Sequence, residues 1–171
     1  MLYLKAANFE DSEKEFKAIK QIPFYENGYI NKYCFMNKQT FETAGIQSML
    51  DSARGFNLPE GDVPESYFFL WNDKTIVGLF KIRHYLNDEL REGSGHLGFG
   101  IIKEYRGNHY GTEGLKLALQ MCRKIVRENE VSMACYRNNM PSLKVMLNNG
   151  AKIVRFDDEI YYTKVKIRQG I

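Results

Sequence analysis

Apolar residues near the start of the chain change from an extended pattern to a helical one. Residues 2–5 predict a strand. Asp11-Ser12 followed by Glu15 is typical of a capping box, so a helix is predicted to begin there. Phe16 and Ile19 then fall on the buried face of that helix.

A second helix is separated from the first by an aromatic, irregular segment at residues 22–39, in which Asn27-Gly28 marks a turn. This helix is predicted to end at Gly55, because glycine commonly follows the last helical turn. Its inward positions recur at helical spacing: Phe41, Ile46, Met49, Leu50 and Ala53.

The centre of the chain is rich in β-branched and aromatic residues, which favour strands. Residues 66–71 and 75–83 predict a hairpin joined by Asn72-Asp73-Lys74, after a loop at 56–64. An acidic turn or short helix at 86–93 precedes the next strand. The remaining strands are predicted at 95–102, 131–136, 151–156 and 160–167.

Two further helices are predicted in the second half. The first runs from Leu115 to Glu128, and its apolar face comprises Leu115, Ala118, Leu119, Cys122, Ile125 and Val126. The second begins after Asn139, an N-cap residue followed by Pro141, and ends at Gly150. Its predicted buried positions are Leu143, Met146 and Leu147.

The turn between the strand at 95–102 and the helix at 115–128 is a candidate binding site. A helix N-terminus offers free backbone N–H groups and a partial positive charge, so this order favours an anion such as pyrophosphate. Gly107, Gly111 and Gly114 lack the spacing of a dinucleotide fingerprint, and the Gly-Lys-Ser/Thr of a nucleotide-triphosphate loop is missing from the sequence. A nucleotide-binding oxidoreductase is therefore disfavoured.

Composition narrows the class further. The chain of 171 residues is 44% hydrophobic, which suits one domain over residues 1–171. A formal charge of +3 without a Lys/Arg block argues against a nucleic-acid partner. The N-terminus lacks a signal-peptide pattern and no apolar run could span a bilayer, so we expect a cytoplasmic protein with no membrane partner. Cys34, Cys122 and Cys135 are expected to be reduced packing residues, with no metal site.

Two spaced patterns mark the turn and the short helix. The first comprises Arg106, Gly107, Asn108, His109, Tyr110 and Gly111. The second comprises Asn139, Ser142 and Gly150. Together with residues 63–70, 82–87 and 95–98, these patterns resemble the GNAT superfamily of acetyl-CoA-dependent N-acetyltransferases, in a bacterial subgroup. The family hallmark is Gln/Arg-x-x-Gly-x-Gly/Ala.

The resemblance implies an α/β (α+β) fold, with a mixed, mostly antiparallel twisted sheet of about six to seven strands flanked by helices. It implies acetyl-CoA as the co-substrate and direct attack by a primary amine, on a small molecule or peptide, in one ternary complex. The chain departs from the family at His109, where the motif has glycine. It departs again at Met146, where many members have a tyrosine that protonates the leaving thiolate.

The resemblance also implies which groups hold acetyl-CoA. Backbone N–H groups of Phe99, Gly100 and Ile101 are expected to bind the pantetheine and the developing oxyanion. The six residues from Arg106 to Gly111, with Asn139 and Ser142, are expected to bind the rest of the cofactor.

Candidates for the acceptor side of the site are His96, His84 and the acidic pair Asp88 and Glu89. His96 is the first candidate for the base because imidazole titrates near neutral pH, and a hydrogen-bonded structural histidine is the competing interpretation. His84, Asp88 and Glu89 are candidates for acceptor binding, since carboxylates attract a cationic amine. The competing function is a non-catalytic acyl-CoA-binding module, which the departures at His109 and Met146 favour. A homodimer is compatible with the sequence.

Overall fold

A computed structural model describes residues 1–169. Its strands are β1 (Leu2–Ala6), β2 (Tyr25–Glu26), β3 (Tyr29–Ile30), β4 (Glu65–Asn72), β5 (Thr75–Arg83), β6 (Leu97–Ile101), β7 (Glu130–Tyr136), β8 (Lys152–Phe156) and β9 (Ile160–Lys166). Its helices are α1 (Ser12–Lys20), α2 (Lys38–Thr40), α3 (Ile46–Arg54), α4 (Asp88–Glu92), α5 (Tyr110–Ile125) and α6 (Met140–Asn148). A π-helical turn, Phe41–Gly45, makes α2 and α3 continuous, and a 3₁₀ turn, Lys103–Tyr105, precedes α5.

The longer strands form two antiparallel sheets. One has the order β1-β4-β5-β6 and the other has the order β7-β9-β8, while β2 and β3 pair with each other as a short hairpin. The two larger sheets meet at an isolated bridge between Gly95 and Met133. This arrangement confirms the predicted α/β class with mostly antiparallel strands flanked by helices.

The four-stranded sheet is buried on both faces. Alternate residues of β4 point to opposite sides, as the pleat of a strand requires. Phe68 and Leu70 pack with the core around α5, whereas Phe69 and Trp71 pack with the core around α1 and α3. Double burial explains why β4 is almost continuously apolar.

Helix α5 differs from its predicted bounds at both ends. It begins at Tyr110, ahead of the predicted Leu115, and ends at Ile125, ahead of the predicted Glu128. Val126 is already extended, with φ −80° and ψ 136°. The early start includes two glycines, and Gly114 is needed there because an added Cβ would lie 2.6 Å from Cζ of Phe80.

The predicted capping box at the start of α1 is wrong in its contacts. The Asp11 side chain makes no capping bond and instead binds Lys5 and Asn8. Asn8 performs the capping role, since its Oδ1 accepts from the Asp11 N–H at 2.9 Å. Glu15 is fully buried and its Oε1 accepts from the Asn8 N–H at 3.2 Å.

The short helix α6 also differs in one predicted position. Leu143 and Met146 are buried, as predicted, but Leu147 is 43% exposed. Leu147 lies one residue beyond Met146 and so turns away from the face that packs on the core. None of the described helices is both long and apolar enough to cross a membrane.

Candidate cofactor and transfer site

The junction of the two sheets fixes where β6 and β7 separate. Gly95 has φ +71°, and an added Cβ would lie 2.3 Å from the Ser132 carbonyl oxygen, so only glycine fits this close approach. At the same end the Arg127 N–H donates to the His84 carbonyl at 2.9 Å. Beyond the Gly95–Met133 bridge, β6 and β7 belong to different sheets. We call the space between Leu97–Ile101 and the end of β7 the β6–β7 gap.

The hydrogen-bond register shows which backbone groups of β6 face this gap. The Arg83 N–H donates to the His96 carbonyl at 2.7 Å, and the Ile102 N–H donates to the Val77 carbonyl at 2.9 Å. Hydrogen-bonding direction alternates along an antiparallel strand. The main-chain groups of Phe99 and Ile101 therefore face the gap, whereas those of Gly100 face β5.

Gly100 thus differs from its predicted role as a backbone donor. A Cβ added to Gly100 would lie 3.9 Å from the ring of Tyr29, and one added to Gly98 would lie 3.6 Å from it, which are ordinary van der Waals distances. The Tyr29 ring therefore covers the face of β6 on which the two glycines lie.

The turn before α5 carries a set of free main-chain donors. In the described part of the chain, the N–H groups of residues 107–112 donate to no protein acceptor, and the first amide that does is that of Glu113, to the His109 carbonyl at 3.1 Å. Gly107 has φ +82° and His109 has φ +61°. His109 therefore adopts a left-handed conformation, which glycine adopts more readily, at the position where the motif has glycine. This turn at the positive end of a helix of 16 residues suits a diphosphate.

Helix α6 packs against this turn. A Cβ added to Gly111 would lie 3.2 Å from Cγ2 of Val145 and 3.8 Å from Cγ1 of Ile101, so β6, α5 and α6 converge at this glycine. The Asn149 side chain donates to the Thr112 carbonyl at 3.0 Å. Asn139 and Ser142 lie at the start of α6, next to the end of β7, and their side chains make no hydrogen bond to another described residue.

The Arg106 side chain is directed away from the free amides of the turn. Its Nε donates to the Ile101 carbonyl at 3.0 Å, and its two terminal nitrogens donate to the Glu26 carboxylate at 2.8 and 2.9 Å. The hydrogen bonds from Arg106 lower the pKa of Glu26. Arg106 therefore organises the turn through its contacts with protein groups, and its guanidinium is already neutralised by a carboxylate.

The hydrogen bonds of His96 favour a structural role, so its role as a base stays a prediction. Its Nδ1 accepts from the Ser132 N–H at 2.9 Å, so the ring proton lies on Nε2, which contacts Oε2 of Glu128 at 3.0 Å. The side chain is 1% exposed. Burial lowers the pKa of His96, and Glu128 opposes this effect. With both nitrogens occupied, His96 offers no lone pair to an incoming amine.

The other predicted acceptor residues do not line one common cavity. His84 Nε2 hydrogen-bonds the Ser66 hydroxyl at 2.8 Å, and burial lowers the pKa of His84. Asp88 and Glu89 are exposed on α4. Glu89 lines a cavity of about 480 Å³ between α3, the 56–63 loop and α4, whereas His84 and Asp88 do not.

The hairpin from Tyr25 to Ile30, which we call the strap hairpin, lies within the irregular segment at residues 22–39 and includes the predicted turn at Asn27-Gly28. It covers one face of the gap, because Tyr29 lies over Gly98 and Gly100 while the Tyr25 hydroxyl meets the Tyr136 hydroxyl at 2.9 Å. The signal was present in Asn27-Gly28 flanked by aromatic residues, which is typical of a tight hairpin. The segment around it is otherwise irregular, so the hairpin did not stand out.

Tyr110 and Met146, one in the predicted cofactor turn and the other at a departure from the family pattern, both contact other parts of the protein. The Tyr110 hydroxyl accepts a hydrogen bond from the Asn72 side chain at 3.1 Å, at the far end of β4. Met146 is 2% exposed, and its sulfur accepts from the Thr163 hydroxyl at 3.5 Å. The position at which many family members carry a tyrosine is therefore a core position here.

A family profile described as "Acetyltransferase (GNAT) domain" matches residues 9–152. These residues include β6, the turn, α5, β7 and α6, which are the elements that border the gap. No curated protein sequence matches the chain.

Solved acetyltransferase structures share the fold. A GNAT-family acetyltransferase from Streptococcus pneumoniae superposes with a TM-score of 0.64 at 13% identity, over 98% of this chain and 100% of that chain. The Campylobacter jejuni N-acetyltransferase PseH, in complex with acetyl coenzyme A, superposes with a TM-score of 0.59 at 17% identity, over 97% and 99%. The ribosomal L7/L12 alpha-N-protein acetyltransferase RimL, in complex with coenzyme A, gives 0.67 at 11% identity, over 96% and 93%.

Proposed function

The chain belongs to the GNAT acetyltransferase family, and from this premise we propose that it transfers an acetyl group from acetyl-CoA to a primary amine of a small molecule or peptide. The observation that carries the proposal is the pairing of an open β6 edge with a turn of free amides at the start of α5. The edge suits a pantetheine and the turn suits a diphosphate. Acetyl-CoA contains both.

The turn supplies the main cofactor contacts. The N–H groups of residues 107–112 can donate to diphosphate oxygens, and the dipole of α5 favours the negative charge. Asn139 and Ser142, with side chains free of other described partners, lie where they can hydrogen-bond the pantetheine arm. Arg106 stabilises the turn from outside the diphosphate position.

The open edge of β6 supplies the electrostatic contribution to transfer. Main-chain N–H groups of Phe99 and Ile101 face the gap, where they can donate to the thioester carbonyl oxygen as negative charge develops on it. The amine nitrogen bonds to the acetyl carbon while the carbon–sulfur bond breaks and the electron pair leaves with sulfur. The protein holds both reactants in one complex, which removes much of the entropic barrier.

Proton transfer is assigned to solvent at the gap. An alkyl ammonium with a lysine-like pKa must lose a proton at a cost of about 4 to 5 kcal/mol at pH 7. Since both nitrogens of His96 are occupied, the attacking amine enters as the neutral form and its second proton passes to water. The CoA thiolate then takes up a proton from solvent, because a thiol with a pKa of about 8.5 is a tolerable leaving group.

A second function, a non-catalytic acyl-CoA-binding module, is favoured by the surroundings of Met146 and His96. With Met146 in the core and His96 locked to Glu128 and Ser132, the chain could bind acyl-CoA without turning over an amine. The two functions differ in one observable. An acetyltransferase releases free CoA thiol only when an amine is present, whereas a binding module releases none.

The test is a thiol-release assay with acetyl-CoA and a panel of primary amines that includes α-amino peptides, lysine-containing peptides and small polyamines. The proposal predicts amine-dependent release for at least one class. It also predicts that the rate rises with pH up to the pKa of the acceptor itself. Saturable acetyl-CoA binding with no release from any amine would favour the binding module.

A further inference from the structure

The strap hairpin contacts both strands that border the gap. On the β6 side, the Tyr29 ring lies over Gly98 and Gly100. Next to it, Glu26 binds the Arg106 guanidinium with two hydrogen bonds, and the ammonium of Lys81 on β5 donates to the Ile30 carbonyl at 3.0 Å. On the β7 side, the Tyr25 and Tyr136 hydroxyls meet at 2.9 Å. The hairpin therefore spans the gap on the face opposite α5.

Arg106 connects this hairpin to two groups that the cofactor needs. Its Nε donates to the Ile101 carbonyl, which lies on the open edge of β6. Its main chain leads directly into the turn at residues 107–112 that carries the free amides. Two parallel hydrogen bonds between a guanidinium and a carboxylate hold both groups in one plane. The position of Glu26 therefore determines where the Arg106 side chain lies relative to the β6 edge and the turn.

We infer that the Glu26–Arg106 pair couples the strap hairpin to the cofactor turn, and that Glu26 is a positioning residue for the transfer reaction. This inference rests on the proposed function. Because coupling between two sites is reciprocal, CoA bound on the turn stabilises the strap hairpin by as much as the hairpin stabilises bound CoA. The acceptor-side face of the gap is then completed when the cofactor is bound.

Calorimetric titration with CoA as the probe tests whether Glu26 supports CoA binding. Glu26→Gln keeps the shape of the side chain but turns one of the two acceptor oxygens into a donor that faces a guanidinium N–H. We expect the Kd for CoA to rise about fivefold, the upper range for a partly exposed ion pair. The matched control is Glu104→Gln, which removes an exposed carboxylate next to the same turn and should not weaken CoA binding.

Three results would overturn the inference. Tighter CoA binding by Glu26→Gln would mean that Arg106, once released, is itself a phosphate ligand. Equal binding by wild type, Glu26→Gln and Glu104→Gln would mean that the pair is only a surface contact. Failure of the wild type to bind CoA would overturn the proposed function together with the inference, whereas the first two results leave the proposed function intact.

Hydrogen exchange of residues 24–31 tests whether bound CoA stabilises the strap hairpin. The Asn31 N–H donates to the Phe24 carbonyl at 2.8 Å and so reports on closure of the strap hairpin. We expect saturating CoA to slow exchange in this segment in the wild type and in Glu104→Gln, and to have no such effect in Glu26→Gln. A residue that supported only the fold would give the same CoA-dependent protection in all three proteins, and that result would contradict the coupling.

Discussion

His109 is strained in the position where the family motif has glycine. A non-glycine residue at φ +61° costs about 1 to 2 kcal/mol, and a β-branched residue costs more. We therefore expect His109→Gly to keep CoA affinity and thermal stability, and His109→Val to lose both, with a Kd increase of about tenfold. Calorimetry with CoA and thermal melts of the two variants measure this. Equal affinity for both variants would show that the turn does not need the left-handed residue.

Glu15 is a buried carboxyl whose charge works against folding. Burial raises the pKa of Glu15 to about 8, well above its ordinary value, and the charge of Asp11 adds to this effect, whereas the hydrogen bond from the Asn8 N–H opposes it. The folded state therefore holds a proton that the unfolded state has released, so the Glu15 contribution is full below about pH 4.5 and is lost as pH rises to about 8. Glu15→Gln retains an acceptor for Asn8 without that charge.

The measurable consequence is a pH-dependent gain in stability. We expect the free energy of unfolding of Glu15→Gln to exceed that of the wild type by more at pH 8.5 than at pH 5. Urea unfolding at the two pH values gives the comparison. A gain that is the same at both would contradict the raised pKa.

We propose that His96 contributes to stability at the sheet junction and not to proton transfer. His96→Leu removes the acceptor for the Ser132 amide and the donor to Glu128, which predicts a loss of about 2 kcal/mol in unfolding free energy. The pH dependence of thiol release should be unchanged at temperatures where the variant is folded. A variant that folds but no longer gains rate with pH would restore His96 as the base.

Helix α5 is positioned on the sheet by a glycine in its own first turns. A Cβ on Gly114 would lie 2.6 Å from Phe80 and 2.9 Å from Leu70, both of which are buried. Gly114→Ala should therefore destabilise the protein by about 1 to 3 kcal/mol, although alanine is the better helix former. Denaturant unfolding beside Phe80→Leu and the double variant checks this cause. The double variant should recover part of the loss, and no recovery would contradict the steric account.

The same helix shows what sequence periodicity could and could not predict. The positions from Leu115 to Cys122 follow a helical pattern, and their burial was predicted correctly. Its first turns contain Gly111 and Gly114, whose low helix propensity is overridden by packing against Val145 and Phe80. A tertiary contact of that kind leaves no signal in the local sequence.

At the scale of the whole molecule, the site arises where two sheets share a single bridge at Gly95 and then separate. The order of strands, the turn at the start of α5 and the family could be predicted, because each leaves a local pattern or a spaced motif. The role of His96 could not, since its partners Ser132 and Glu128 are distant in sequence. The Glu26–Arg106 pair joins residues 80 positions apart and was missed for the same reason.

Binding of acetyl-CoA to the turn is the claim on which the whole account depends, and calorimetric titration of the wild type beside Asn108→Asp tests it most directly. Asn108 is exposed in the middle of the turn, where its Nδ2 donates to the Tyr105 carbonyl at 3.0 Å, so the substitution adds one negative charge and also removes this hydrogen bond. We predict saturable binding by the wild type and a loss of about 2 kcal/mol, roughly thirtyfold, in the variant, because a carboxylate beside a diphosphate is repelled. Melting temperatures confirm that both proteins are folded. Equal binding by the two folded proteins, or no binding by either, would contradict the assignment of the turn as the cofactor site.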